Sequence, residues 1–114
     1  MCKVLVIDND EKILNLFRWA LIVSGHKVKT ASDGKEGMQK FNDGNFDAVI
    51  TEINLPGINA NKMIEHIRNS DDSSTLVIAM SGRPRPQQNT GYDVVLSKPF
   101  PIPDLVASIP ILER

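Results

Sequence analysis

Four short apolar segments of this chain each end in a residue type that can do chemistry. Asp8, Asn9 and Asp10 follow Val4-Leu5-Val6-Ile7, and Glu52 comes just after Ala48-Val49-Ile50. Ser81 follows the run from Leu76 to Met80, and Lys98-Pro99 comes just after Val94-Val95-Leu96. Carboxylates, a hydroxyl and an amine gathered in one place would hold a hard cation and an anion side by side, since oxygen ligands suit the first and protonated or hydroxylic donors the second. Segment ends are polar in most proteins, so only the set as a whole points to chemistry.

The elements that must position the set alternate in period. Val4 to Ile7 is a continuous aliphatic run, as expected of a strand covered on both faces. Asp8-Asn9-Asp10 supplies turn and cap chemistry, Ile13, Leu14, Phe17 and Leu21 follow at helical spacing, and Gly25 closes that helix where positive φ is easily placed. His26 to Ala31 alternates like a strand. Ser32-Asp33 opens a second helix with Met38 and Phe41 inward, and Ala48-Val49-Ile50 is a third strand. Leu55-Pro56-Gly57 forces a turn before a third helix carrying Met63, Ile64 and Ile67; Leu76 to Met80 and Val94 to Leu96 complete the strands. Strands alternating with helices imply a parallel sheet clothed on both faces, and right-handed crossovers make a doubly wound α/β fold the expectation. Such sheets gather their functional groups at the carboxyl ends of the strands, which is where the polar set stands.

Composition narrows the function. The chain has 114 residues, 13 basic and 14 acidic, with a formal net charge of −1 and 41% hydrophobic residues. That suits one globular domain over 1–114, able to fold without disulfides or a structural metal. Neither nucleic acid nor an anionic membrane is expected as a partner, because both require clustered positive charge. No apolar run approaches the roughly 20 residues that span a bilayer, and the start lacks the features of a signal peptide, so a cytoplasmic location is expected. The single cysteine, Cys2, is expected as a frayed terminal thiol.

At this point the residues resemble a known family, the receiver domains of two-component response regulators. The likeness runs along essentially the whole chain and rests on Val4-Leu5-Val6-Ile7-Asp8-Asn9-Asp10-Glu11, on Asp47 through Gly57, on Ile78-Ala79-Met80-Ser81-Gly82, and on Leu96-Ser97-Lys98-Pro99-Phe100. It implies a flavodoxin-like three-layer α/β/α sandwich around a five-stranded parallel sheet in the order 2-1-3-4-5. In that family an aspartate ending the third strand takes a phosphoryl group from a histidine kinase. An acidic pair after the first strand and a backbone carbonyl two residues past the acceptor hold Mg²⁺, while a Ser/Thr and a Lys contact the phosphoryl oxygens. By resemblance the acidic pair falls on Asp8 and Asn9, the acceptor on Glu52, the carbonyl on Asn54, the hydroxyl on Ser81 and the amine on Lys98, with a cis bond implied at Lys98-Pro99.

The sequence departs from that pattern in four places. Glu52 replaces the acceptor aspartate, and its extra methylene moves the carboxylate by about 1.5 Å, toward Lys98 or Ser81. In-line transfer depends on position, so the usual aspartyl route is expected to fail and a standing ion pair with Lys98 to take its place. Asn9 replaces a charged ligand with a neutral one, leaving one net negative charge over Asp8, Glu52 and Lys98 where the family pattern has two. No cofactor is required, and any Mg²⁺ binding is expected to be weak. Asp10 is expected to cap the first helix rather than serve the metal. Val95 stands where the family often carries a switching aromatic, and Tyr92 is read as a surface or loop aromatic. Finally, Gly82 to Gly91 holds two prolines in too few residues for an ordinary helix, so the fourth helix is expected short or absent, and the last, with Asp104, Leu105, Val106 and Ile109, short as well.

His26 and His66 lack a second ligand at metal spacing and are read as structural. Trp19 lies off the inward stripe and is read as a partly exposed helix residue. The reading is therefore a signalling module, not an enzyme, that works through protein partners: a histidine kinase or a downstream signalling protein. It acts either alone or as a receiver cut from a longer protein, in an oligomeric state the residues do not fix. One alternative is a receiver retaining phosphoryl and Mg²⁺ sensitivity through Asp8, Asp10 and Ser81. The other, a flavodoxin-like flavin or nucleotide binder, is opposed by the acidic Asp8-Asn9-Asp10-Glu11 loop, which would repel a phosphate.

Overall fold

The computed structural model describes residues 2–53, 55, 60–70, 74–81 and 92–97, with backbone only for Ala60, Asn61, Ser81, Val94, Val95 and Ser97. In chain order these form β1 (Lys3–Ile7), α1 (Glu11–Val23), β2 (Lys27–Ala31), α2 (Gly34–Asp43), β3 (Ala48–Glu52), α3 (Ala60–Arg68), β4 (Leu76–Ser81) and β5 (Val94–Ser97). All pairings are parallel, and the strands lie in the order β2-β1-β3-β4-β5. The expected parallel α/β architecture is therefore present. The segments expected to hold a shortened fourth helix and a short last helix lie outside the described residues.

Strand period sorts the core into two layers, because successive side chains point to opposite faces. Val4 and Val6, Ala48 and Ile50, Ile78 and Met80 face α1, where Leu14, Phe17 and Leu21 meet them. Leu5 and Ile7, Val49, Val77 and Ala79 face the other way, against Phe41 of α2 and Met63, Ile64 and Ile67 of α3. Helices thus cover both faces, and the aliphatic runs read as continuous because neither face meets water.

Local signals fix the helix ends. Asp10 caps α1 by accepting from the Lys12 backbone N–H, and Asp33 caps α2 by accepting from that of Glu36. The Glu36 carboxylate reaches back to the Ser32 N–H, which holds its pKa below the usual value, with Lys40 adding to the effect. Gly25, at φ +92°, ends α1: its N–H reaches the Ile22 carbonyl, and the His26 N–H reaches that of Leu21. On the outer side of α1, Leu16, Trp19, Ile22 and Val23 are exposed, Trp19 to 63%.

Two expectations are corrected. Cys2 is buried, because pairing runs one residue past β1: its N–H donates to His26 Nδ1 and its carbonyl accepts from Lys27. Burial, with Asp47 nearby, raises the thiol pKa and keeps it protonated. Tyr92 is also buried, packed into the α2–α3 layer just ahead of β5, because its neighbour Asp93 locks the start of that strand inward.

The amino ends of the strands are stitched by side chains. Asp47 accepts from the Lys3 N–H at 2.8 Å, and Asp93 accepts from the Val77 N–H at 2.7 Å. Arg68, closing α3, donates to the Thr75 carbonyl and pairs with Asp93 at 2.8 Å. His66 of α3 bonds Asn42 of α2 at 2.7 Å and meets Phe41 edge-on. Both histidines thus have structural contacts.

Arg68→Met is expected to destabilise the fold by about 1–2 kcal/mol, read by urea unfolding, since two hydrogen bonds at a partly exposed site are lost. His26 gives a pH dependence. Its Nδ1 accepts a hydrogen bond, which only the neutral ring can do, and burial lowers its pKa from the ordinary 6.5. The unfolded chain therefore binds the proton first, so stability is full above the ordinary value and declines as pH falls below it. Unfolding midpoints at pH 7.5 and 5.5 should differ in the parent chain and differ less in His26→Gln.

Candidate functional site

Register, more than any side chain, assembles the carboxyl edge of the sheet. Ile7 lies opposite Thr51, Thr51 opposite Ala79 and Ala79 opposite Val95. The next row holds Asp8 and Glu52, with Glu52 opposite Met80 and Met80 opposite Leu96. One step further Ser81 lies opposite Ser97. Asp8, Glu52 and the Ser81 backbone therefore come together at one edge, on adjacent strands. Asn54 and Lys98 lie outside the described residues, and with them the expected ion pair to Glu52 and the cis bond. Val95 sits one row below the edge, in β5.

The two carboxylates are held differently. Asp8 is almost wholly buried, at 1% exposure, and its Oδ1 accepts from the Asp10 N–H at 2.9 Å, while its own N–H extends the ladder to Ala31. That bond shapes the turn leading into α1. Asn9 and Asp10 are exposed, and Asp10 Oδ1 is committed to the Lys12 N–H at 2.9 Å.

Glu52 is buried, at 8% exposure, and its longer side chain folds back so that Oε2 accepts from the Ile53 N–H at 3.0 Å. The same N–H also reaches the Met80 carbonyl at 2.9 Å, so the peptide after β3 stays tied to β4. Thr51, fully buried, donates from Oγ1 to the Glu52 carbonyl at 3.1 Å and pins that peptide from behind. Reading of the residues missed Thr51; its one signal was a lone hydroxyl closing an otherwise aliphatic strand.

Two acids on neighbouring strands gather carboxylate oxygens at one edge, the donor type that suits a hard cation. Among the described residues no group of three His, Cys, Asp or Glu side chains comes together to hold a metal. No described helix is long and apolar enough to cross a membrane.

Residues 4–110 match the family described as response regulator receiver domain. The chain is 31% identical over 117 residues to the transcriptional regulatory protein PrrA of Mycobacterium tuberculosis, covering 98% of this chain and 50% of that protein. It is 33% identical over 112 residues to the uncharacterized transcriptional regulatory protein YrkP of Bacillus subtilis, covering 94% and 47%. It thus spans about half the length of these relatives. Among solved structures, a receiver domain protein from Clostridium thermocellum superposes with a TM-score of 0.89 at 27% identity, covering 98% of this chain and 94% of that one. The response regulator TrrA of Thermotoga maritima, solved with Mg²⁺ and BeF, superposes at 0.87 with 27% identity, covering 98% and 99%.

Asp10→Ala is expected to lower stability by about 1 kcal/mol through loss of the helix cap, and Asp10→Ser to retain most of it. Urea unfolding of the two variants beside the parent chain checks this.

Proposed function

Because this chain belongs to the response regulator receiver domain family, we propose that it is a receiver in which Glu52 fills the acceptor place and ordinary aspartyl phosphorylation does not switch it. The observation that carries the reading is the Glu52 carboxylate, buried at the end of β3 and bonded to the backbone N–H of the next residue. A phosphoryl acceptor must present an oxygen outward in line with the incoming phosphorus, and an oxygen engaged with its own backbone is poorly placed for that. The second support is the donor set. Asn9 is neutral and exposed, and Asp10 caps α1, so the buried carboxylates at this edge are those of Asp8 and Glu52.

Those residues fit Mg²⁺ only weakly, and nothing in the proposed role depends on it. The module then signals by contact rather than catalysis. Its partners are proteins, a histidine kinase upstream or a signalling protein downstream, in the cytoplasm. Likeness to proteins named as transcriptional regulators supports an output on transcription for a longer parent chain.

Incubation with acetyl phosphate and Mg²⁺, followed by intact-mass measurement, should leave the parent chain unmodified, whereas Glu52→Asp should acquire a labile phosphoryl adduct. An adduct on Glu52 itself would overturn the reading. The Glu52→Asp arm also shows whether the rest of the pocket is competent.

A further inference from the structure

The opposite end of the sheet carries a separate concentration of charge. Lys3 of β1 lies in register with Lys27 of β2, and period 2 places Lys29 on the same face as both. That face is covered by α2, whose last turns bring Lys40 and Asp43 alongside. Lys3, Lys29, Lys40, Asp43, Gly44 and Phe46 line a cleft of about 200 Å³. Three features set this cleft apart from a scatter of surface lysines.

The first is that two of the ammonium groups are positioned. Lys3 Nζ stands over the Phe46 ring, 4.8 Å from its centre, and Lys40 donates to the Thr30 carbonyl while pairing with Glu36 at 3.2 Å. The second is that Gly44 leaves the floor open. A Cβ built there would lie 2.7 Å from the Phe46 ring and 3.1 Å from Lys3 Nζ. The third is the charge itself: Lys3 lies directly opposite Lys27, an unfavourable pairing of like charges, with Lys29 two residues further along β2, and among the described residues neither Lys3 nor Lys29 stands in a salt bridge.

We propose that this cleft binds a small polyvalent oxyanion of the phosphate class, inorganic phosphate or diphosphate. Amines converging from β1, β2 and α2 offer compact point charges, which suit a tetrahedral oxyanion better than a planar one, the Lys40 ammonium being shared with the Thr30 carbonyl and Glu36. The volume falls below the roughly 300 Å³ of ordinary small-molecule sites, so it takes the anion and not a nucleoside attached to it. Asp43 sets the orientation by excluding oxygens from its side, and added salt weakens the site because it lies open to solvent.

The test is an amide-resolved NMR titration of the nitrogen-labelled chain with phosphate, and separately with diphosphate, at low ionic strength. Saturable shifts are expected at Lys3, Lys29 and Gly44, with diphosphate binding more tightly. Lys29→Gln, on an exposed edge-strand position, should raise Kd about three- to fivefold, the size of one exposed ion contact. Lys3→Gln should act likewise, and Lys12→Gln, on exposed α1, should leave Kd unchanged; the amide spectrum of each variant reports its folding. The proposal fails if no saturable shift appears, if the shifts centre on Glu52 and Ser81, or if Lys12→Gln weakens binding equally.

Discussion

A parallel ladder whose strands are covered on both faces is the constraint everything else follows. Val4 to Ile7 and Val77 to Met80 are buried at every position because alternate side chains enter two different cores. Nothing polar is tolerated along such strands without a partner, so chemistry is displaced to their ends. Thr51 shows the rule from within: fully buried, its hydroxyl is spent on the Glu52 carbonyl.

The two ends are used in opposite ways. At the amino ends, Asp47, Thr75, Asp93 and Arg68 close backbone and side-chain bonds between elements far apart in sequence, so strand starts are locked. At the carboxyl ends, chain direction changes into turns and helices, and the acids Asp8 and Glu52 sit on adjacent strands with their backbones held and one identified oxygen of each bonded to a nearby N–H. Rigidity at one edge lets the other present groups at fixed spacing, which is why a single methylene at position 52 has leverage over function. The lysines of β1 and β2 add a third feature: charge gathered where edge strand β2 meets the start of its inner neighbour β1.

Much of this was legible in the chain. Strand and helix positions followed from hydrophobic period, Asp10 and Asp33 from capping chemistry, and Gly25 from the need for positive φ. Tyr92 and Cys2 were misjudged, since an aromatic in a polar stretch and a residue beside the terminus look exposed until the neighbouring layer or strand is placed over them. The Arg68–Asp93 pair was invisible because its members are joined only when α3, β4 and β5 pack.

By itself the sequence determined the local structure, the polar character of the strand ends, and the identity of Glu52 where the family pattern has aspartate. Those depend on residue type and short spacing, which the chain carries in full. The tertiary structure decided that the Glu52 carboxylate turns back onto the Ile53 N–H, and that Lys3, Lys29 and Lys40 line one cleft. The first joins neighbouring residues but needs β4 beside β3 to hold the Ile53 peptide, and the second needs strand register and the layer that covers that face, quantities set by packing between segments that no local pattern encodes.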